Sequence, residues 1–126
     1  MDTPSQALAL VVPTRVPTPY DPLWGHWLTP AEISFSHGFR RACEHLAARK
    51  AAKEAVARLL GCPADPRTWH AMEVHRVPGT APTMALHGAP AQRLQNLRLP
   101  QPGISLTHAN GYAAALAWFP ARSAET

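Results

Sequence analysis

Apolar residues recur at helical spacing between His45 and Gly61, in the string HLAARKAAKEAVARLLG. Leu46, Ala55, Val56, Leu59 and Leu60 make one stripe, and Gly61 stands where a helix closes on a left-handed residue. The pattern predicts one long amphipathic helix. Its other face carries Arg49, Lys50, Lys53, Glu54 and Arg58. Lys50–Glu54 and Glu54–Arg58 are spaced as i,i+4 ion pairs, each worth about a few tenths of a kcal/mol on a solvated surface.

The segments around this helix alternate between strand and turn signals. Residues 6 to 12, QALALVV, are apolar on both faces and predict a short buried strand. Pro13, Pro17, Pro19 and Pro22 then impose an extended path, because proline lacks a backbone donor and biases its predecessor away from helix. Trp24 and Trp27 follow as candidate core anchors. Thr29-Pro30-Ala31-Glu32 is a capping box with proline at the first helical position, predicting a helix from Pro30 to about Ser36. His37 and His45 suggest no partner and read as ordinary imidazoles.

Beyond Gly61, Trp69 to Val77 reads as a strand, Pro78-Gly79 as a turn and Pro82 to Leu86 as the antiparallel partner. Ala89 to Leu97 reads as a short helix with Leu94 and Leu97 inward. Gly103 opens a last hairpin. Ile104 and Leu106 form one strand; on the next, Tyr112, Ala114, Leu116 and Trp118 alternate with Ala113, Ala115 and Ala117, predicting a strand covered on both sides. This order of elements predicts an α+β domain, with an antiparallel sheet packed on a long central helix.

Length and composition narrow the class. A chain of 126 residues with 46% hydrophobic content is one globular domain, residues 1–126, with a proline-rich start over 1–22 and a tail over 120–126. The formal charge of +4 favours anionic partners. The cations are not gathered with aromatics into a nucleic-acid stripe, so a DNA- or RNA-binding role stands well below the readings that follow. Cys43 and Cys62 offer neither a disulfide framework nor zinc spacing. Neither a secretory leader nor a run of membrane-spanning length is visible, which predicts a cytoplasmic protein with no membrane partner.

The literal strings add a resemblance. R-x-A-A-K-E-A from Arg49 to Ala55, then a cation four residues after Glu54 and a closing L-G, resembles the central helix of the 4′-phosphopantetheinyl transferases of holo-acyl-carrier-protein synthase type. WLTPAEISFS is similar to that family's (F/L)-T-x-x-E-(L/I) helix start. TWHAMEVHRVPGTAPTMALHG is similar to its segment ending in G-K-P and L-x-G, and GISLTHANGYAAALAWF to its closing G-x-S-(L/I)-(S/T)-H-x-x-x-Y-A-x-A hairpin. The four strings occur in the family's order over about residues 23 to 119.

The resemblance implies a chemistry and a set of residues. A serine of an acyl carrier protein would attack the β-phosphate of coenzyme A and release 3′,5′-ADP, in fatty-acid or polyketide-type biosynthesis. Glu54 falls on the metal-binding glutamate, which implies magnesium. Arg49 falls on the phosphate-contacting arginine, Lys53 on the lysine beside the glutamate, Arg58 on the family's catalytic lysine, and His108 on the histidine near the coenzyme's phosphates. Arginine at 58 keeps the charge yet cannot take a proton at neutral pH. The family's small members form trimers with sites between chains, which implies a homo-oligomer.

Other positions depart from the pattern. The family's N-terminal metal-binding aspartate falls on Ala9, six residues before Arg15, and nothing acidic stands between Asp2 and Asp21. The aromatic after Arg49 is Lys50, the G-K-P lysine is absent from Gly79-Thr80-Ala81-Pro82, and a histidine carried by some members falls on Gly103. Two functional readings follow. One is a working transferase whose second metal ligand comes from elsewhere, such as Asp21, Glu73 or another chain. The other is a catalytically impaired relative that binds a carrier protein or pairs with another pathway subunit.

Overall fold

The computed structural model describes residues 5–11 and 16–120. Everything in it is arranged about one helix, α2, which runs from Ala42 to Leu60 and ends on Gly61 at φ 71°, the left-handed cap its glycine allows. The helix starts three residues before the predicted His45. Strand β1 (Gln6–Val11), a 3-10 turn (Pro22–His26) and helix α1 (Pro30–His37) precede it. Helix α3 (Pro66–His70), strands β2 (Met72–His75) and β3 (Thr83–Leu86), helix α4 (Gly88–Leu97) and strands β4 (Gly103–Ala109) and β5 (Tyr112–Trp118) follow. The chain is α+β, as the pattern predicts.

Three strands form an antiparallel sheet in the order β1-β5-β4, and β2 and β3 form a separate antiparallel pair. Helix α2 lies across the three-stranded sheet on alanine. Ala47, Ala48, Ala51, Ala52 and Ala55 of the helix and Ala9, Ala113, Ala115 and Ala117 of the strands are all buried to within a few per cent. Small side chains let the helix backbone approach the sheet, and the close contact brings dispersion from many atoms at once. The predicted stripe of Leu46, Ala55, Val56, Leu59 and Leu60 is buried throughout.

Two expectations about the strands need correction. Strand β1 is not buried on both faces: it is an edge strand, Ala9 facing α2 while Leu8 stays 64% exposed. Strand β5 is sealed only on its alanine face; Ala114, Leu116 and Trp118 are half-buried and Tyr112 is exposed. Trp118 instead lies across Gly103, its register partner, where an added Cβ would come within 2.5 Å of the indole. Residue 12 of the predicted first strand, part of the proline-rich segment and the tail from 121 onward fall outside the described residues.

Trp69 belongs to a helix, not to the predicted strand. Asp65 accepts from the Thr68 amide at 3.1 Å and Pro66 follows it, so this short turn of α3 has its own cap. The capping box at α1 forms as read: the Glu32 amide donates to Thr29 Oγ1 at 3.2 Å, and Glu32 Oε1 accepts from the Thr29 amide at 2.8 Å. Trp24 is a core anchor, 1% exposed.

Candidate functional site

Lys53 is the first surprise of the charged face. Its side chain carries no exposed surface, and its ammonium donates to Glu32 Oε1 at 2.6 Å, the Trp27 carbonyl at 2.7 Å and the Trp69 carbonyl at 3.0 Å. An ammonium has three donors, and all three are used. Burial pushes the Lys53 pKa down, opposed by the Glu32 charge. Glu32 Oε2 also accepts from the Val74 amide at 2.7 Å, so this pair ties α1, α2 and β2 together. Lys53, read as a coenzyme contact, therefore lies in the core with no donor left for a phosphate.

Arg49 is also buried, 4% exposed, though beside a pocket rather than in the core. Its Nη1 donates to the His45 carbonyl at 3.1 Å and its guanidinium lies 4.5 Å from the centroid of the Phe35 ring. Burial pulls its pKa down to about 10, with Glu32 opposing and Arg76 adding repulsion, so it remains a cation at neutral pH. The pocket holds about 220 Å³ and is lined by Phe35, Phe39, His45, Arg49, Arg76 and His108, among others. Four bases and no carboxylate line it.

His108 reaches this pocket from the end of β4. Its ring stands 4.4 Å from that of His45, tilted by 56°, and His45 is stacked on Phe39 at 4.0 Å. The His45 pKa is lowered to about 4, by burial first and then by His108, Arg49 and Arg76, with Glu44 opposing. A neutral imidazole among cations can still donate one N–H to an anion. His45, Arg76 and the two phenylalanines were not legible as site residues; only the aromatic FSHGF string before the helix offered a signal.

Glu54 and Arg58 are on another side of the helix. Glu54 stands five positions after Arg49, which rotates them about 140° apart. Glu54 forms an ion pair with Lys50, and Arg58 Nη1 donates to the Leu8 carbonyl at 2.7 Å. They line a second hollow of about 290 Å³ with Ala57, Cys62, Ala64 and Trp69. Within one chain, then, Arg49 and His108 come together, Glu54 and Arg58 come together, and the two pairs face different hollows. A larger hollow of about 470 Å³ beside Arg40 and Arg41 contains none of the predicted site residues.

Within one chain, the donor set at Glu54 does not fit a divalent ion. Among the described residues no group of three or more His, Cys, Asp or Glu side chains is placed to hold a metal. The two carboxylates considered as a second ligand are engaged elsewhere. Asp21 caps the 3-10 turn, accepting from the Leu23 amide at 2.8 Å. Glu73 lies 2.7 Å from His75 Nε2, and bonds to Thr29 and His75 hold its pKa down.

The arrangement is a long helix across a small antiparallel sheet, with a basic pocket where α1, α2 and β4 meet. The structure is similar to that of holo-[acyl-carrier-protein] synthase from Neisseria meningitidis, with a TM-score of 0.78 at 18% identity over 93% of this chain and 98% of that one. It is similar also to the Helicobacter pylori enzyme in complex with coenzyme A, with a TM-score of 0.74 at 18% identity over 91% of this chain and 99% of that one.

Sequence similarity goes further than fold. The chain is 42% identical over 96 residues to a holo-[acyl-carrier-protein] synthase of Koribacter versatilis, spanning 75% of this chain and 77% of that protein. The chain belongs to the holo-[acyl-carrier-protein] synthase family. No family model matches it. Among the described residues, no helix is long and apolar enough to cross a membrane.

Proposed function

We propose that this chain transfers the 4′-phosphopantetheine arm of coenzyme A to a serine of an acyl carrier protein, in the cytoplasm. The observation that carries the reading is the carboxylate-free pocket of Arg49, Arg76, His45 and His108, in a chain 42% identical to a holo-[acyl-carrier-protein] synthase. A phosphate in that pocket meets two guanidinium groups and two imidazoles, and charge-assisted bonds of this kind are the strong ones. Phe35 and Phe39 offer faces on which a purine stacks.

In the transfer the serine oxygen forms a bond to the β-phosphorus while the bond from that phosphorus to the leaving 3′,5′-ADP oxygen breaks. Charge builds on the phosphoryl oxygens, and Arg58 stands beside Glu54 to offset it. Since Glu54 and Arg49 face different hollows, one coenzyme reaches both most simply when the Glu54 hollow of one copy abuts the His108 pocket of the next. A homo-oligomer, as a trimer, satisfies this. The net charge of +4 suits an acidic carrier protein.

The alternative, a carrier-binding relative without chemistry, is favoured by Ala9 standing where the resemblance implies a metal ligand. Calorimetric titration of coenzyme A and of 3′,5′-ADP tests the coenzyme reading. Both bind in the transferase, and both lose affinity in Arg49→Ala and His108→Ala. A chain that binds carrier protein but neither nucleotide is the impaired relative.

A further inference from the structure

The Glu54 carboxylate already has a cation. Lys50, one turn earlier, is ion-paired to it, and the two side chains are only 18% and 20% exposed. The ammonium also lies 4.5 Å from the centroid of the Trp27 ring. Trp27 is itself held, its carbonyl accepting from the buried Lys53 and its ring meeting Trp24 at 5.8 Å in an edge-on contact. A lysine on an open helix face samples many rotamers. This one is placed between a carboxylate and an aromatic face, both of which favour positive charge.

The other side of the site carries no carboxylate. Ala9 of β1 is buried among the alanines of α2, and β1 passes the Glu54 turn closely enough for Arg58 to bond the Leu8 carbonyl at 2.7 Å. Two carboxylates around a divalent ion sum to zero. Here an alanine, a carboxylate and an ammonium sum to zero as well. One negative charge is missing, one positive charge is present, and together they equal the charge of the ion. A divalent cation entering beside Lys50 would meet repulsion and a single, occupied carboxylate, whereas such ions usually require several oxygen ligands.

We propose that the Lys50 ammonium takes the place of a divalent cation at Glu54 and itself contacts the coenzyme's pyrophosphate, so that transfer needs no metal held by this chain. The proposal rests on the transferase reading. Glu54 uses one ammonium proton and leaves donors for phosphoryl oxygens. In the step, the serine oxygen–phosphorus bond forms, the electron pair of the broken bond leaves on 3′,5′-ADP, and the serine proton passes to water. Lys50 keeps its protons throughout and supplies only charge.

The test has two arms on the full chain. In the first, Mn²⁺ is titrated and followed by electron paramagnetic resonance, with and without 3′,5′-ADP. The proposal expects no stoichiometric Mn²⁺ on the wild type. One Mn²⁺ per chain, lost in Glu54→Gln, overturns it. In the second, transfer to an apo carrier protein is timed in magnesium and in excess EDTA. Equal rates in the two buffers are expected, as is a drop of at least about tenfold in EDTA for Lys50→Met, with Lys50→Arg recovering most of it. Circular dichroism checks that each variant is folded. Transfer that stops in EDTA overturns the proposal and leaves the transferase reading standing. No transfer in any buffer overturns the transferase reading and the pyrophosphate contact with it, while the Mn²⁺ titration still decides whether the Glu54 site holds a metal.

Discussion

Nζ of Lys53 lies 2.6 Å from Oε1 of Glu32, and neither side chain has any exposed surface. The pair joins the start of α1 to the middle of α2, and through the Val74 amide it reaches β2. Removing one member of a buried ion pair leaves an uncompensated charge, at a cost of about 3–5 kcal/mol. Glu32→Gln and Lys53→Met are each expected to lower stability by about that much, measured by urea unfolding. The double variant should lose less than the sum, because it strands no charge.

Arg49 and His108 are expected to act on coenzyme affinity more than on folding. A charge-assisted bond to phosphate is worth about 1.5–3 kcal/mol, so each alanine substitution should weaken 3′,5′-ADP by about ten- to a hundredfold. Arg49→Lys keeps the charge but not the planar contact with Phe35, and should fall between wild type and Arg49→Ala. Calorimetry on the folded variants reads both effects.

Stability should depend on pH through His45. Its pKa is about 4 in the folded chain against 6.5 for the ordinary imidazole, depressed by burial and by His108, Arg49 and Arg76 against the opposing Glu44. A depressed folded pKa means that the unfolded chain takes up the proton first. The contribution is therefore fully present above pH 6.5 and is lost progressively as pH falls to about 4. The melting temperature should decline across that window, and His45→Phe should remove part of the slope. Saturation with 3′,5′-ADP should flatten it too, since bound phosphate favours the imidazolium.

At Gly103 the sheet has no room for a side chain, with the Trp118 indole 2.5 Å from the place of a Cβ. Overpacking of this kind costs about 1–3 kcal/mol. Gly103→Ala should lower stability by that amount in chemical unfolding, and Gly103→His should do so at least as strongly unless Trp118 is shortened with it.

Much of this was readable in the sequence, for local reasons. The Leu46–Leu60 stripe, the Thr29–Glu32 capping box and the Gly61 cap are short-range patterns, and each formed where its residues predicted. The family strings gave fold and chemistry in advance. What spacing could not tell was which lysine is covered. Lys50, Lys53 and Arg49 look alike on a helical wheel, yet Lys53 is buried because Glu32, Trp27 and Trp69, each distant in sequence, converge on it. The pocket eluded the sequence for the same reason, since His45 and Arg76 meet His108 only once β4 lies beside α2. Lys50 registered as a departure from a pattern; its position between Glu54 and Trp27 is a tertiary fact.

The measurement that bears most directly on the central claim is the mass spectrum of an apo acyl carrier protein incubated with this chain and coenzyme A. The account predicts a gain of one 4′-phosphopantetheine arm, with 3′,5′-ADP released in equal amount, and loss of that gain in Arg49→Ala and Glu54→Ala. An unchanged carrier mass across several carrier proteins, from a chain that is folded and binds them, would contradict it.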